Sequence, residues 1–161
     1  MSHSNTLDYL NNPSPQTLGR SPLEWLNRLQ RPTVVRVAGR DPSRTRAMAT
    51  LLHGNEPSGL FAIHRWLMEQ HTPEVNLLFL LGGVHPAKIP PILSLRQVPG
   101  GRDLNRCFKE PFEGEEGAIA EAMLAELQTA NPECLLDVHN TSGTGPAFAV
   151  TITNDAAHQA L

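Results

Sequence analysis

Ala47-Met48-Ala49-Thr50-Leu51-Leu52-His53-Gly54-Asn55-Glu56-Pro57-Ser58-Gly59 sets the organisation of this chain. Ala47 to Leu52 is a run of small and apolar residues that reads as a buried strand. It stops at a histidine, a glycine, an asparagine and a glutamate, and a helical pattern starts directly afterwards. Ligands in open α/β folds sit at the carboxyl ends of strands. A His-x-x-Glu pair at such an end sets an imidazole and a carboxylate side by side on a tight loop, two donors of the kind that zinc takes. Two ligands do not close a site, so a third must come from elsewhere in the chain.

Working outward, Ser58 to His71 has helical spacing, with Leu60, Ile63 and Leu67 on one face, and Thr72-Pro73 ends it. Val75 to Leu81 is a continuous apolar run that fits a central strand buried on both faces, closed by Gly82-Gly83. Upstream, Thr33 to Ala38 is a β-branched run read as a strand. Gly39-Arg40-Asp41-Pro42-Ser43 is turn chemistry, so this strand and Arg46 to Leu52 are candidates for a hairpin. Ser21 to Gln30 reads as a helix: Ser21 suits the N-cap, Pro22 the first turn, and Glu24 completes a capping box. Met1 to Gln16 reads as a polar tail. Downstream, His85 to Gly101 is a proline-rich loop of a length usually reserved for function or disorder. Glu113 to Ala130 predicts a helix with Ile119, Met123 and Leu127 on one stripe. Leu135 to Val138 predicts a short buried strand, and Ala147 to Thr153 a last strand, with Asn154-Asp155 able to cap a further helix. This order predicts an α/β domain with a mixed sheet.

Composition narrows the function classes. At 161 residues, 40% of them hydrophobic and 18% charged, the chain is long enough for one domain with a core. A net charge of -3 gives no general attraction to nucleic acid or to an anionic membrane. The arginines between Arg28 and Arg46 fall across a helix end, a strand and a turn, and read as solvated flanks. Met1 to Gln16 does not read as a signal peptide, and the longest apolar run is too short to span a bilayer. Cys107 and Cys134 do not make a secreted disulfide framework, so a cytoplasmic protein with reduced thiols is expected.

Three polar clusters punctuate the apolar elements: His53 with Glu56, then Arg102-Asp103-Leu104-Asn105-Arg106, then Asp137-Val138-His139-Asn140. His139 comes just after a predicted strand and is placed to meet His53. Together with Glu56 it makes a two-histidine, one-carboxylate set that leaves a fourth position open, the mark of a catalytic zinc. His64, His71 and His158 read as packing or surface histidines, and Trp25 and Trp66 as packing. His85 lies in the proline-rich loop and is a lesser candidate for substrate contact.

On His53-Gly54-Asn55-Glu56, Asp103-Leu104-Asn105-Arg106 with Phe108, and Asp137-Val138-His139-Asn140-Thr141, the chain resembles the succinylglutamate desuccinylase/aspartoacylase family, a branch of the zinc carboxypeptidase-like hydrolases. The resemblance runs from about Val34 to Thr153. It implies a three-layer α/β/α fold with a mixed sheet, here truncated, with residues 1–32 as polar tail and helix and residues 33–161 as an incomplete zinc-hydrolase domain. It implies Zn2+ on His53, Glu56 and His139, a substrate carboxylate gripped by Asn105 and Arg106, and Asp103 orienting a zinc histidine. A further substrate arginine is expected at Arg96, with Arg102 as competitor. The substrate class implied is a small N-acyl amino acid, hydrolysed at its amide bond.

The glutamate that serves as general base in that family is expected beyond residue 161, as is a smaller β-rich domain. The chain is therefore expected to be an N-terminal fragment, inactive by itself. The alternatives are a zinc carboxypeptidase acting on peptides and a non-catalytic metal-binding α/β domain.

Overall fold

Val75–Leu81 has almost no polar side to turn to water, and as β4 it takes the centre of a five-stranded mixed sheet. The structure, a computed structural model, describes residues 6–141, 143 and 146–151. The other strands are β1 (Asp8–Asn11), β2 (Thr33–Val37), β3 (Asp41–Thr50) and β5 (Leu135–Val138), in the order β1-β2-β4-β3-β5. Alternation along β4 feeds two cores. Phe79 and Leu81 face one layer, with Trp25, Leu26, Leu60, Ile63 and Leu67. Leu78 and Leu80 face the other, with Ile119, Ala120 and Met123. Helices α1 (Pro15–Leu18), α2 (Pro22–Arg28), α3 (Ser58–Met68) and α4 (Val84–Lys88) supply the first layer, and α5 (Gly114–Ala130) the second. Among the described residues no helix is long and apolar enough to cross a membrane.

Local signals explain the helix ends. The Ser21 side chain accepts from the Glu24 amide at 3.1 Å, as a capping box requires. The Glu24 carboxylate turns instead to the Arg20 amide, at 2.8 Å. In α5, Ile119 and Met123 are buried, as their spacing predicts.

Five expectations are corrected. β2 and β3 do not form a hairpin: β4 lies between them, antiparallel to β2 and parallel to β3. The most apolar strand takes the centre. The Gly39–Asp41 stretch crosses its start, where the Arg40 and Asp41 amides donate to the Pro73 and Glu74 carbonyls at 2.9 Å. The N-terminal stretch is not a tail, because β1 pairs in parallel with β2 and Leu7 is buried in the α5-side core. β5 is a strand but not a buried one: it lies at the sheet edge, and Leu135 and Leu136 are 46% and 42% exposed. The proline-rich stretch from His85 is not loop throughout, because its first residues belong to α4. Residues 147–151 carry no strand, while Thr153, Asn154, Asp155 and His158 lie outside the described residues.

One contact ties three of these elements together. A Cβ on Gly59, in the first turn of α3, would come within 2.0 Å of Thr50 Oγ1 at the end of β3. That hydroxyl donates to the Val138 carbonyl of β5 at 3.3 Å. Gly59→Ala is expected to lower stability by about 1–3 kcal/mol through overpacking. Denaturant titration checks this, and an unchanged midpoint would contradict the close approach.

Candidate metal centre

β3 and β5 run parallel as neighbours, with Thr50 opposite Val138. Both strands therefore deliver the residues beyond them to the same rim of the sheet. After Thr50 the chain turns sharply: Leu51 is fully buried and has φ 52, a left-handed conformation that costs a branched residue energy. His53 and Glu56 then sit on a buried loop, with the Glu56 amide donating to the His53 carbonyl at 3.1 Å. Gly54 is required there, since a Cβ would meet the Ala87 amide nitrogen at 2.5 Å. Its own amide donates to the Arg96 carbonyl at 2.9 Å, which fixes the proline-rich stretch against the loop.

The side chains converge. Nδ1 of His53 faces Glu56 Oε1 at 2.9 Å, and Nδ1 of His139 faces Glu56 Oε2 at 2.7 Å. The far nitrogens are also held: Nε2 of His53 faces Asp103 Oδ1 at 2.9 Å, and Nε2 of His139 faces Asp137 Oδ2 at 3.0 Å. His53 and Glu56 are buried, and His139 is partly exposed. One potential ligand atom from each of His53, Glu56 and His139 lies within 4.8 Å of the others, so this group could hold a metal ion.

The donor chemistry fits a cation. A neutral imidazole carries one N–H and one lone pair. Each ring here has a carboxylate oxygen at both nitrogens, so a neutral ring turns a lone pair on one of them. A cation shared by the two Nδ1 atoms and Glu56 removes that conflict and leaves each Nε2–H to donate to its aspartate. Backing of a metal-bound histidine by a carboxylate is the usual means of fixing its tautomer. The cluster holds three carboxylates, Glu56, Asp103 and Asp137, and among the described residues one guanidinium, that of Arg96, which pairs with the first two. The excess of negative charge favours a divalent ion.

The expected substrate residues are distributed unevenly. Arg96 is at the cluster, donating to Asp103 Oδ2 through Nη2 at 3.0 Å and Nε at 3.3 Å, and to Glu56 Oε1 through Nη1 at 3.4 Å. Its rival Arg102 turns to the Glu113 carbonyl at 2.7 Å. Asp103 caps the turn Leu104–Arg106, accepting from the Asn105 amide at 2.9 Å. Arg106 is exposed; its guanidinium reaches the Asn105 carbonyl at 3.5 Å and, among the described residues, pairs with no carboxylate. Neither Asn105 nor Arg106 hydrogen-bonds to His53, Glu56 or His139 through its side chain. A cavity of about 340 Å³ adjoins the cluster, lined by Leu52, Gly83, His85, Arg96, Arg102 and Glu116 among others. His64 is buried in the core with Nε2 against the Gly19 carbonyl, and His71 pairs with Glu69, so neither belongs to the site.

Two residues of the third polar cluster contribute in roles that the sequence did not assign. Asp137 holds the far nitrogen of His139; its signal is the Asp-x-His spacing, which puts both side chains on one side of an extended chain. Asn140 gives its amide to Glu56 Oε2 at 3.2 Å, and its side chain donates to Ser58 Oγ at 2.7 Å and accepts from the Ser58 amide at 3.2 Å. It staples the end of β5 to the start of α3.

Scanned against protein-family models, curated proteins and solved structures, the chain finds no match in any of the three. The site rests on its own geometry.

Electrostatics set a pH window for the cluster. Burial pushes the Glu56 carboxyl up, but the His139 hydrogen bond, the His53 charge and the Asn140 amide outweigh it and lower the pKa. Asp103 is likewise lowered, burial being outweighed by Arg96 and His53. For His139, burial pulls down, while hydrogen bonds to Asp137 and Glu56 raise the pKa above its ordinary 6.5. The lowered carboxylates stabilise the fold above their ordinary range and lose this as pH falls through their folded values. Raised His139 stabilises below 6.5 and loses this as pH rises through its folded value. The contribution of the cluster is therefore complete between about 4.5 and 6.5. Thermal melts of chelator-treated protein should show it decline on both sides, and His139→Asn should abolish the alkaline decline. An alkaline limb that survives that substitution would show that His139 is not its source.

Proposed function

We propose that this chain carries the metal site of a zinc-dependent hydrolase that cleaves the amide bond of an N-acyl amino acid, in the manner of the succinylglutamate desuccinylase/aspartoacylase family it resembles. The observation that carries this reading is the convergence of two imidazole Nδ1 atoms on one carboxylate, with an aspartate behind each ring. Two nitrogens and an oxygen make a donor set that suits zinc and leaves a position for another ligand. His53, Glu56 and His139 would hold the ion; Asp103 and Asp137 would keep both rings in the tautomer that leaves Nδ1 free. Zinc, when bound, lowers the pKa of water toward about 7 and polarises a carbonyl, as amide hydrolysis requires.

The chain's own residues do the rest. The exposed guanidinium of Arg106 is available to a substrate carboxylate, which it can grip through two parallel N–H donors. Asn105, next to it, adds a neutral donor. Arg96 brings a second positive charge to the edge of the metal ligands, where it borders the adjoining cavity. An acyl amino acid with a free carboxylate is the substrate class that these groups recognise.

One observation favours a second reading, a metal-binding domain without turnover of its own. Each carboxylate in the cluster already holds a histidine, so among the described residues none there is free to take a proton from water.

Zinc content and hydrolysis separate these readings. The purified chain is expected to bind one equivalent of zinc per molecule, and His53→Ala or His139→Ala to reduce affinity by at least about a hundredfold. Normal zinc binding in both variants would remove the site. Release of amino acid from a panel of N-acyl amino acids, with peptides as comparison, then tests the hydrolase reading. Bound zinc with no turnover on either set supports the second reading, and preference for peptides would replace the acyl amino acid by a carboxypeptidase substrate.

A further inference from the structure

The role of Arg96 towards the metal ligands goes beyond gripping substrate. We propose that Arg96 is an internal counter-ion that competes with a metal ion for Glu56, so that this arginine lowers metal affinity and slows loading. The inference rests on the metal site proposed above.

Four observations support it. First, Arg96 Nη1 donates to Glu56 Oε1, the same oxygen that faces Nδ1 of His53 at 2.9 Å. A guanidinium and a metal ion compete for that oxygen, and their like charges repel across it. Second, this contact is the weakest that Arg96 makes. At 3.4 Å it is longer than the two bonds to Asp103 Oδ2, at 3.0 and 3.3 Å. The side chain can release Glu56 while Asp103 still holds it. Third, there is room for the movement. The Arg96 side chain is 45% exposed and borders a cavity of about 340 Å³, while its carbonyl is anchored to the Gly54 amide. Fourth, Asp103 is divided between two partners: Oδ1 faces Nε2 of His53, and Oδ2 accepts from Arg96. The guanidinium draws charge from that carboxylate and makes it a poorer acceptor for His53, which in turn makes His53 a poorer metal ligand.

Both effects have the same sign. Removing the charge of Arg96 frees Glu56 and strengthens the hold of Asp103 on His53, so the metal binds more tightly. A residue whose only task is to brace Asp103 would give the opposite result, because its loss would loosen His53.

The test measures zinc dissociation constants by competition with a chromophoric chelator, and zinc uptake by stopped flow, on the full chain. Arg96→Gln is expected to tighten zinc about tenfold and to speed uptake, since outer-sphere changes typically move affinity about 10–100-fold. Arg96→Lys keeps a charge but cannot hold Asp103 and Glu56 in one rigid fork, so it should fall between Arg96→Gln and the unmodified chain. Asp103→Asn should weaken binding. If Arg96→Gln and Arg96→Lys both bind zinc no more tightly than the unmodified chain, Arg96 is not a competitor and the inference is overturned. If the unmodified chain binds no zinc at all, the site itself fails, and this inference with it.

Discussion

Glu56 gives one carboxylate oxygen to each of two imidazoles, and the second of these comes from 83 positions further along the chain. The rest of the arrangement depends on that bridge. A buried carboxylate between two rings is tolerable only if charge and hydrogen bonds are matched around it. The surroundings supply this: Asp103 and Asp137 behind the rings, Arg96 at the side and the Asn140 amide above. The cluster is a polar network whose members are all engaged, placed where two cores meet the end of the sheet.

The fold makes the bridge possible through one feature of its topology. β3 and β5 are parallel neighbours, so their carboxyl ends lie side by side, and the loops that leave them start from one place. The left-handed turn at Leu51 brings the first loop over the strand end instead of continuing the sheet. Asn140 and Thr50 then lock the two exits together, one through Ser58 at the start of α3 and the other through the Val138 carbonyl. The turn that carries Asp103 is fixed from the opposite layer, where Leu104 and Cys107 are buried against α5 and the Cys107 thiol donates to the Asp103 carbonyl at 3.3 Å. Packing on both faces of the sheet is thereby coupled to the position of a ring nitrogen.

Charge distribution separates Arg96 from Arg106. Arg96 is committed to carboxylates of the cluster, while Arg106 is open to solvent. The charge of Arg106 is left without an internal ion pair among the described residues, whereas that of Arg96 is matched by two carboxylates.

Signals that are local in the chain were legible from the residues alone. The bounds of β4 and β5, the cap at Ser21, the stripe of α5 and the three polar clusters all come from periodicity or punctuation within a few positions. So did the set His53, Glu56 and His139, because each member stands where an apolar run stops. Pairing across space was not legible. β1 looks polar because it is an edge strand held by backbone hydrogen bonds and only alternately covered. The insertion of β4 between β2 and β3 reflects a competition among strands for the centre, which no window of sequence contains. The partners of Arg96 and Asp137 were settled in the same way. The amino-acid sequence by itself determined which groups are available to bind a cation and which strand ends carry them. Only the tertiary structure decided which carboxylate backs which ring and which arginine stands beside them, because those choices are made by distances between segments and not by the order of residues within one.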